Sequence, residues 1–264
     1  MNPRDAENYL EFAFRVALAA GGAILPHFRE IIDVEDKRNV HGYDPVTIAD
    51  RAAEEVIRAE IARAYPDHGI HGEEHGRRAG SSPLTWVIDP IDGTKSFILG
   101  QLHWATLIAL HDAEHPVVGV VHQPFVGETF LATRGGVAQW RRGDDRRTLR
   151  TRRCARVEDA IVATTDPRHF QSARQLSVYN AITANARLTR FGGDCYCYTQ
   201  LAMGFVDMVV ETGLQPYDVQ ALIPLVEAAG GVISNWSGGS CDQGGDVFAC
   251  GDRELHAQVL KLLE

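Results

Sequence analysis

The chain predicts an α/β fold, and three observations carry that expectation. Residues 85–97 read Thr-Trp-Val-Ile-Asp-Pro-Ile-Asp-Gly-Thr-Lys-Ser-Phe, a short apolar run that hands over to a helix start. Beyond residue 151, apolar runs of strand length alternate with stretches of helical periodicity. The 264 residues, 45% hydrophobic and 23% charged, are enough for a substantial core, as one large domain or two smaller halves.

The elements follow in order. Tyr9, Phe12, Ala13, Val16, Ala17, Ala20, Ile24 and Phe28 recur at intervals of three and four, predicting an amphipathic helix over 6–28. Residues 31–43 are charged and rich in breakers, a mobile loop or irregular hairpin. Lys37 within it reads as solvated, with a metal-site role as the other reading. Residues 44–50 open a second helix, whose buried face is Ala49, Ala53, Val56, Ile57, Ile61 and Ala64. Thr47 and Asp50 have the Thr-x-x-Asp form of a capping box, which puts Asp50 in the first turn, facing whatever lies beyond it. Residues 68–72 predict a short strand ending in Glu73 and Glu74, acids that ordinarily stay in solvent.

Trp86 to Ile88 is the next strand, halted by Pro90, and a helix begins at Gly93-Thr94. Asp89 and Asp92 therefore sit at a strand-to-helix junction. Crowded carboxylates repel unless a cation lies between them, and hard oxygen donors suit Mg²⁺. The free N–H groups at Gly93 and Thr94 favour an anion. Side by side, the two point to metal-assisted phosphate chemistry. The same Asp-Pro-x-Asp-Gly run is also an ordinary turn with Asp caps, so the weight falls on acids elsewhere.

Strands follow at 105–111, 116–123 and 128–134, the last two joined by a hairpin. The mixed-charge segment 141–147 reads as a solvated hairpin tip. A seam near Thr151 divides an N-terminal half, 1–150, from a C-terminal half, 151–264. In the latter, strands fall at 160–164, 187–191, 206–211, 231–236 and 247–250, and helices at 170–183, 194–203, 217–229 and 253–263. Asp218, after Gln215-Pro216-Tyr217, is another acid at a helix start, where a capping charge is the ordinary reading. Glu73, Asp89, Asp92 and Asp218, with Asp50 as a possible further member, all fall where α/β proteins gather their sites.

The formal charge of −9 argues against a nucleic-acid surface, yet bound Mg²⁺ would still admit an anionic small substrate. We read no leader and no apolar stretch long enough for a bilayer. The five cysteines lack zinc-like spacing and read as reduced thiols of a cytoplasmic protein.

Gly72-Glu73-Glu74, the block from Trp86 to Thr94, and Tyr217-Asp218-Val219-Gln220-Ala221-Leu222 followed by Glu227-Ala228-Ala229-Gly230-Gly231 resemble the signatures of the inositol-monophosphatase-like phosphatases. Their order and spacing match over nearly the whole chain. Residues 190–196, Arg-Phe-Gly-Gly-Asp-Cys-Tyr, and 214–218, Leu-Gln-Pro-Tyr-Asp, resemble the histidinol-phosphatase branch.

The resemblance implies a layered α/β/α/β/α sandwich of the inositol monophosphatase and fructose-1,6-bisphosphatase type. It also implies phosphomonoester hydrolysis with two or three Mg²⁺ ions. By position, Glu73, Asp89 and the Ile91 carbonyl would hold one metal, and Asp89, Asp92 and Asp218 a second. Asp50 would serve through water or a third ion. Thr94 and Glu73 would orient the attacking water, and the Gly93 and Thr94 N–H groups would hold phosphoryl oxygens. The implied substrate is L-histidinol phosphate, a dianion at one end and a cation at the other. Asp194 and Glu211 could face the cationic end, and Arg190 could contact phosphate or hold Asp194 in place. Each has an ordinary alternative: helix cap, strand-end acid and ion-pair residue. Inositol phosphate or a broad range of small phosphomonoesters is the alternative substrate class. The resemblance further suggests a homodimer that engages no nucleic acid and no membrane.

Overall fold

The computed structural model describes residues 1–37 and 44–263. The 38–43 part of the expected loop lies outside the described residues. Helix α1 (Pro3–Ile24) starts on Asn2, whose side chain accepts the Asp5 N–H, and carries Pro3 in its first turn. Its Leu10, Ala13, Ala17, Ala20 and Ile24 form one buried stripe. By length and composition alone the segment Pro3–His27 reaches what a bilayer span needs, where the sequence reading expected no such stretch, and a buried core helix meets the same measure. The stripe packs against the second helix and the first sheet. Before that helix, β1 (Val34–Asp36) pairs antiparallel with β2 (Pro45–Thr47), so α2 (Ile48–Ala64) starts at Ile48 rather than at Asp44.

The first sheet takes β3 (Gly69–Gly72), β4 (Gly76–Arg78) and β5 (Thr85–Asp92), then, past α3 (Thr94–Ile98), β6 (Ala105–His111). It continues with β7 (Pro116–Gln123), β8 (Glu128–Thr133), β9 (Gln139–Arg142) and β10 (Asp145–Thr148). The order is β10-β9-β8-β7-β6-β5-β3-β4, and only β3 and β5 run parallel. The solvated tip expected at 141–147 is the β9–β10 turn.

The C-terminal part runs β11 (Ile161–Thr164), α4 (Ala173–Thr183), β12 (Leu188–Phe191) and α5 (Cys195–Ala202). It continues with β13 (Met208–Leu214), α6 (Pro216–Val219), α7 (Leu222–Ala228), β14 (Val232–Asn235), β15 (Gly245–Cys250) and α8 (Arg253–Leu263). Five strands form the second sheet in the order β12-β11-β13-β15-β14. One helix was expected over 217–229, and the structure has two. Pro224 has no N–H for the Gln220 carbonyl, so the ladder breaks there, and Pro224 falls in the first turn of α7, where no donor is missed.

Alternate residues of the strands face different layers. Trp86, Ile88, Ile108, Leu110, Val118 and Val120 pack against α1 and α2. Val87, Leu107, Ala109, Val121 and Phe130 face the other way, into α5–α7 and the inner face of the second sheet, where Val209, Val247 and Ala249 lie. On that sheet's outer face Met208, Val210 and Phe248 meet α4 and α8. The result is the layered α/β/α/β/α sandwich. Strands covered on both faces explain why the sequence shows continuous apolar runs rather than alternation.

His122 gives the fold a pH limit. It is buried on β7, its Nδ1 lies 2.8 Å from Thr129 Oγ1, and burial pushes its pKa down to about 4. An unfolded chain would bind this proton near pH 6.5, so the unfolded state gains protons first as pH falls. Stability present above pH 6.5 is therefore lost toward pH 4, by about 2 kcal/mol between pH 7 and pH 5. Buried acids such as Glu211 shift stability the other way over the same range, so urea unfolding at both pH values should show that loss as the difference between wild type and His122→Gln.

Candidate active site

On a regular strand, residues three apart face opposite sides of the sheet. Asp89 and Asp92 escape this because β5 carries a bulge: Asp89 pairs with Leu107 and Asp92 with Ala105, so β5 spends one residue more than β6 between them. The extra residue resets the phase and turns both acids to one side. Pro90 was expected to end the strand. It sits instead inside the bulge, where no ladder donor is needed, and its carbonyl accepts a hydrogen bond from Thr106 Oγ1 at 2.9 Å. The Ile91 N–H closes back on Asp89 Oδ1 at 3.1 Å, fixing that carboxylate.

Asp218 arrives from the C-terminal half on α6. Its Oδ2 accepts the Gln215 N–H at 2.7 Å in a reciprocal cap, so the capping reading holds, and it does not exclude the other. Asp89, Asp92 and Asp218 each place a carboxylate oxygen within 4.8 Å of the others. Burial, and then the charges of Glu73, Asp92 and Asp218, push the Asp89 carboxyl well above its ordinary range. Burial and Asp92 do the same to Asp218. Asp92 is also raised by burial, although the Cys195 N–H donates to its Oδ2 at 2.7 Å. Three crowded acids that mutually disfavour ionisation form a hole for positive charge. Their hard oxygen donors fit a divalent metal ion.

Glu73 follows β3, its N–H bonded to the Ile88 carbonyl of β5 at 3.2 Å. Burial raises its pKa to about 7. Lys37, expected in solvent, instead bridges Glu73 Oε1 at 2.9 Å and Glu74 Oε1 at 2.7 Å. Burial works against its charge, but the two carboxylates outweigh that and hold Lys37 protonated above its ordinary range. Glu74 is correspondingly drawn inward rather than solvated.

Asp50 is fully buried and does two things at once. Its Oδ2 accepts the Thr47 N–H at 2.8 Å and the Thr47 hydroxyl at 2.6 Å, the expected capping box. Its Oδ1 lies 3.3 Å from Thr94 Oγ1, whose hydroxyl also reaches the Ile91 carbonyl at 3.0 Å. Burial raises the Asp50 carboxyl above its ordinary range. Gly93 allows the chain to turn into α3 with φ +86°, where an added Cβ would lie 2.5 Å from the His103 carbonyl oxygen.

These groups open on a cavity of about 520 Å³, whose wall includes Glu73, Asp92, Thr94, Asp194, Glu211 and Asp218. Asp194 occupies the N-cap position of α5 with φ 44°, but its side chain caps nothing. Instead Ser96 Oγ donates to its Oδ2 at 3.0 Å. Burial and the Asp92 charge raise its pKa to about 7. Glu211 is buried on β13 beside a second bulge, between Glu211 and Leu214. Its Oε1 accepts the Thr165 N–H at 2.7 Å and hydroxyl at 2.9 Å, and burial pushes its pKa up to about 8. Arg190 is exposed on the edge strand β12, outside the cavity wall, and the role expected of it toward Asp194 falls to Ser96.

Sequence reasoning missed Ser96, the bridge from Lys37 and the buried acid Glu54. Ser96 carried no signal, lying 98 residues from its partner Asp194. Glu54 carried one: it stands one helical turn after Asp50 and pairs with Arg58 at i,i+4.

A sequence model described as the inositol monophosphatase family matches residues 5–264. The bifunctional phosphatase IMPL2, chloroplastic, of Arabidopsis thaliana is 39% identical over 275 residues, covering 100% of this chain and 77% of that protein. A histidinol-phosphatase of Streptomyces coelicolor is 35% identical over 260 residues, covering 96% of each. Among solved structures, an inositol monophosphatase from Zymomonas mobilis superposes with a TM-score of 0.86 at 35% identity, over 97% of this chain and 98% of that one.

Proposed function

The chain belongs to the inositol monophosphatase family and is a phosphatase of that family, and on that premise we propose that it hydrolyses L-histidinol phosphate to L-histidinol and inorganic phosphate with Mg²⁺. One observation carries the choice of substrate: the cavity that holds the metal-binding acids also buries Glu211, hydrogen-bonded to Thr165, with Asp194 in the same wall. Burial keeps Glu211 protonated up to about pH 8. The cationic end of histidinol phosphate would favour its ionised form and pair with it, whereas a neutral polyol brings no charge to do so.

Asp89, Asp92 and Asp218 would hold Mg²⁺, joined by Glu73 and the Ile91 carbonyl. Bound there, the metal would neutralise charge on the phosphoryl and leaving oxygens and acidify water. The chain's own groups do the rest. The Thr94 hydroxyl donates to Ile91 or Asp50, so its lone pairs face outward to accept a hydrogen bond from a water and orient it. Asp50, with its raised pKa, is placed to draw the proton through Thr94. The Gly93 and Thr94 N–H groups at the start of α3 hold phosphoryl oxygens. Positioning and charge placement are most of what phosphoryl transfer requires.

Initial-rate kinetics test the substrate. Histidinol phosphate should exceed inositol 1-phosphate in kcat/KM by on the order of 100-fold, because only the former satisfies the acids of the cavity. A preference for inositol 1-phosphate would overturn the reading of Asp194 and Glu211. The proposal includes a cytoplasmic homodimer whose partner molecules are small phosphorylated metabolites, without nucleic acid or membrane. The five unpaired thiols, four of them buried, favour the reducing compartment.

A further inference from the structure

We infer that Glu54 is the positioning residue of the metal centre: it clamps the turn that presents Glu73 and thereby sets the affinity for the divalent cation. The inference rests on the reading of Glu73 as a metal ligand.

Glu54 is fully buried on α2. Its Oε2 accepts the Glu74 N–H at 2.7 Å. Its Oε1 accepts the His75 N–H at 3.2 Å and Arg58 Nε at 2.6 Å. Arg58 continues to the Gly76 carbonyl, so one ion pair holds Glu74 and His75 of the turn between β3 and β4 and Gly76, the first residue of β4. Immediately before the turn stands Gly72, where an added Cβ would lie 2.0 Å from Glu54 Oε1. The strand is therefore cut back to hydrogen to let this carboxylate in.

A turn between two short strands is normally solvated, and its N–H groups bond to water. Burying a charged pair beneath it costs desolvation that only several good hydrogen bonds can offset. What the pair provides is rigidity. Glu73 has its own N–H tied to β5 and its carboxylate tied to Lys37, but its backbone leads directly into the turn that Glu54 grips. Glu54 has donors on both oxygens and so supports a ligand rather than acting as one. Groups that orient a ligand in this way typically contribute about 10- to 100-fold to metal affinity.

The test is a Mn²⁺ titration of the metal-free protein, read by electron paramagnetic resonance, with thermal unfolding alongside. Glu54→Gln offers only one acceptor oxygen to three donors, and Glu54→Asp retracts the carboxylate by one methylene. Both should bind Mn²⁺ roughly tenfold or more weakly. If Glu54→Gln does not fold, Glu54→Asp decides by the same criterion. Wild-type Mn²⁺ affinity in the folded variants, whatever their Tm, would overturn the inference and assign Glu54 to stability alone. Glu73→Gln runs in parallel. If it weakens Mn²⁺ binding while the Glu54 variants do not, the inference fails and the metal site stands. If it too binds as wild type, the reading of Glu73 fails first.

Discussion

Replacing Asp89 by asparagine is expected to lower kcat at least about a thousandfold while leaving the fold intact. The amide oxygen would keep the acceptor for the Ile91 N–H, so the bulge survives, but the change removes one of three charges that converge on a common point. Several kcal/mol of charge neutralisation at the phosphoryl group goes with it. The same change relieves the repulsion that Glu73, Asp92 and Asp218 impose on Asp89. Metal-free Asp89→Asn should therefore unfold at a higher temperature than wild type and respond less to Mg²⁺. Calorimetry with and without Mg²⁺, beside phosphate-release rates, checks both halves. A variant with near-wild-type Mg²⁺-dependent turnover would remove Asp89 from the site.

The second large effect is expected from Glu211→Gln. The amide oxygen can still accept from Thr165, so the local geometry is kept. The charge offered to a cationic substrate is lost, and KM for histidinol phosphate should rise on the order of 100-fold. Hydrolysis of 4-nitrophenyl phosphate, which carries no cation, should change little. The pH dependence separates charge from packing. The folded Glu211 carboxyl titrates at about 8 and the unfolded one near 4.5, so the native state binds the extra proton between those values. Stability thus falls as pH rises from about 4.5 to 8, and the cost is complete above pH 8. The variant should be the more stable protein at roughly pH 8 to 9 without substrate. Its handicap in KM should grow from about pH 6 to pH 8, as wild-type Glu211 ionises. Parallel KM profiles would contradict the assignment.

These effects trace to residues of unequal visibility in the sequence. Asp89 and Asp92 stood out because chemistry and backbone demand share one short block, with Gly93 needed at φ +86° and Thr94 beginning a helix. The α/β class was legible from the apolar runs, since strands covered on both faces leave no alternation to misread, while the layered sandwich was legible only through the resemblance of the motif blocks to a known family. The bulge in β5 was not legible. It exists only relative to β6, and Pro90 read locally as a stop. Lys37 was misread for a related reason: its partners Glu73 and Glu74 lie 36 and 37 residues away, and nothing in its neighbourhood distinguishes it from a solvated lysine. Arg190 shows the opposite error, since a basic residue near Asp194 in sequence stands on an exposed edge strand. The split between α6 and α7 was available in principle, because Pro224 interrupts an otherwise helical pattern.

In the proposed site, Asp89 and Asp92 from the first sheet and Asp218 from α6 would together hold one divalent cation. Anomalous scattering from crystals soaked in Mn²⁺ tests this directly. A strong peak is expected among the three carboxylates, within about 2.0–2.4 Å of an oxygen from each. Full occupancy of Mn²⁺ elsewhere on the protein, with no peak among these three, would contradict it.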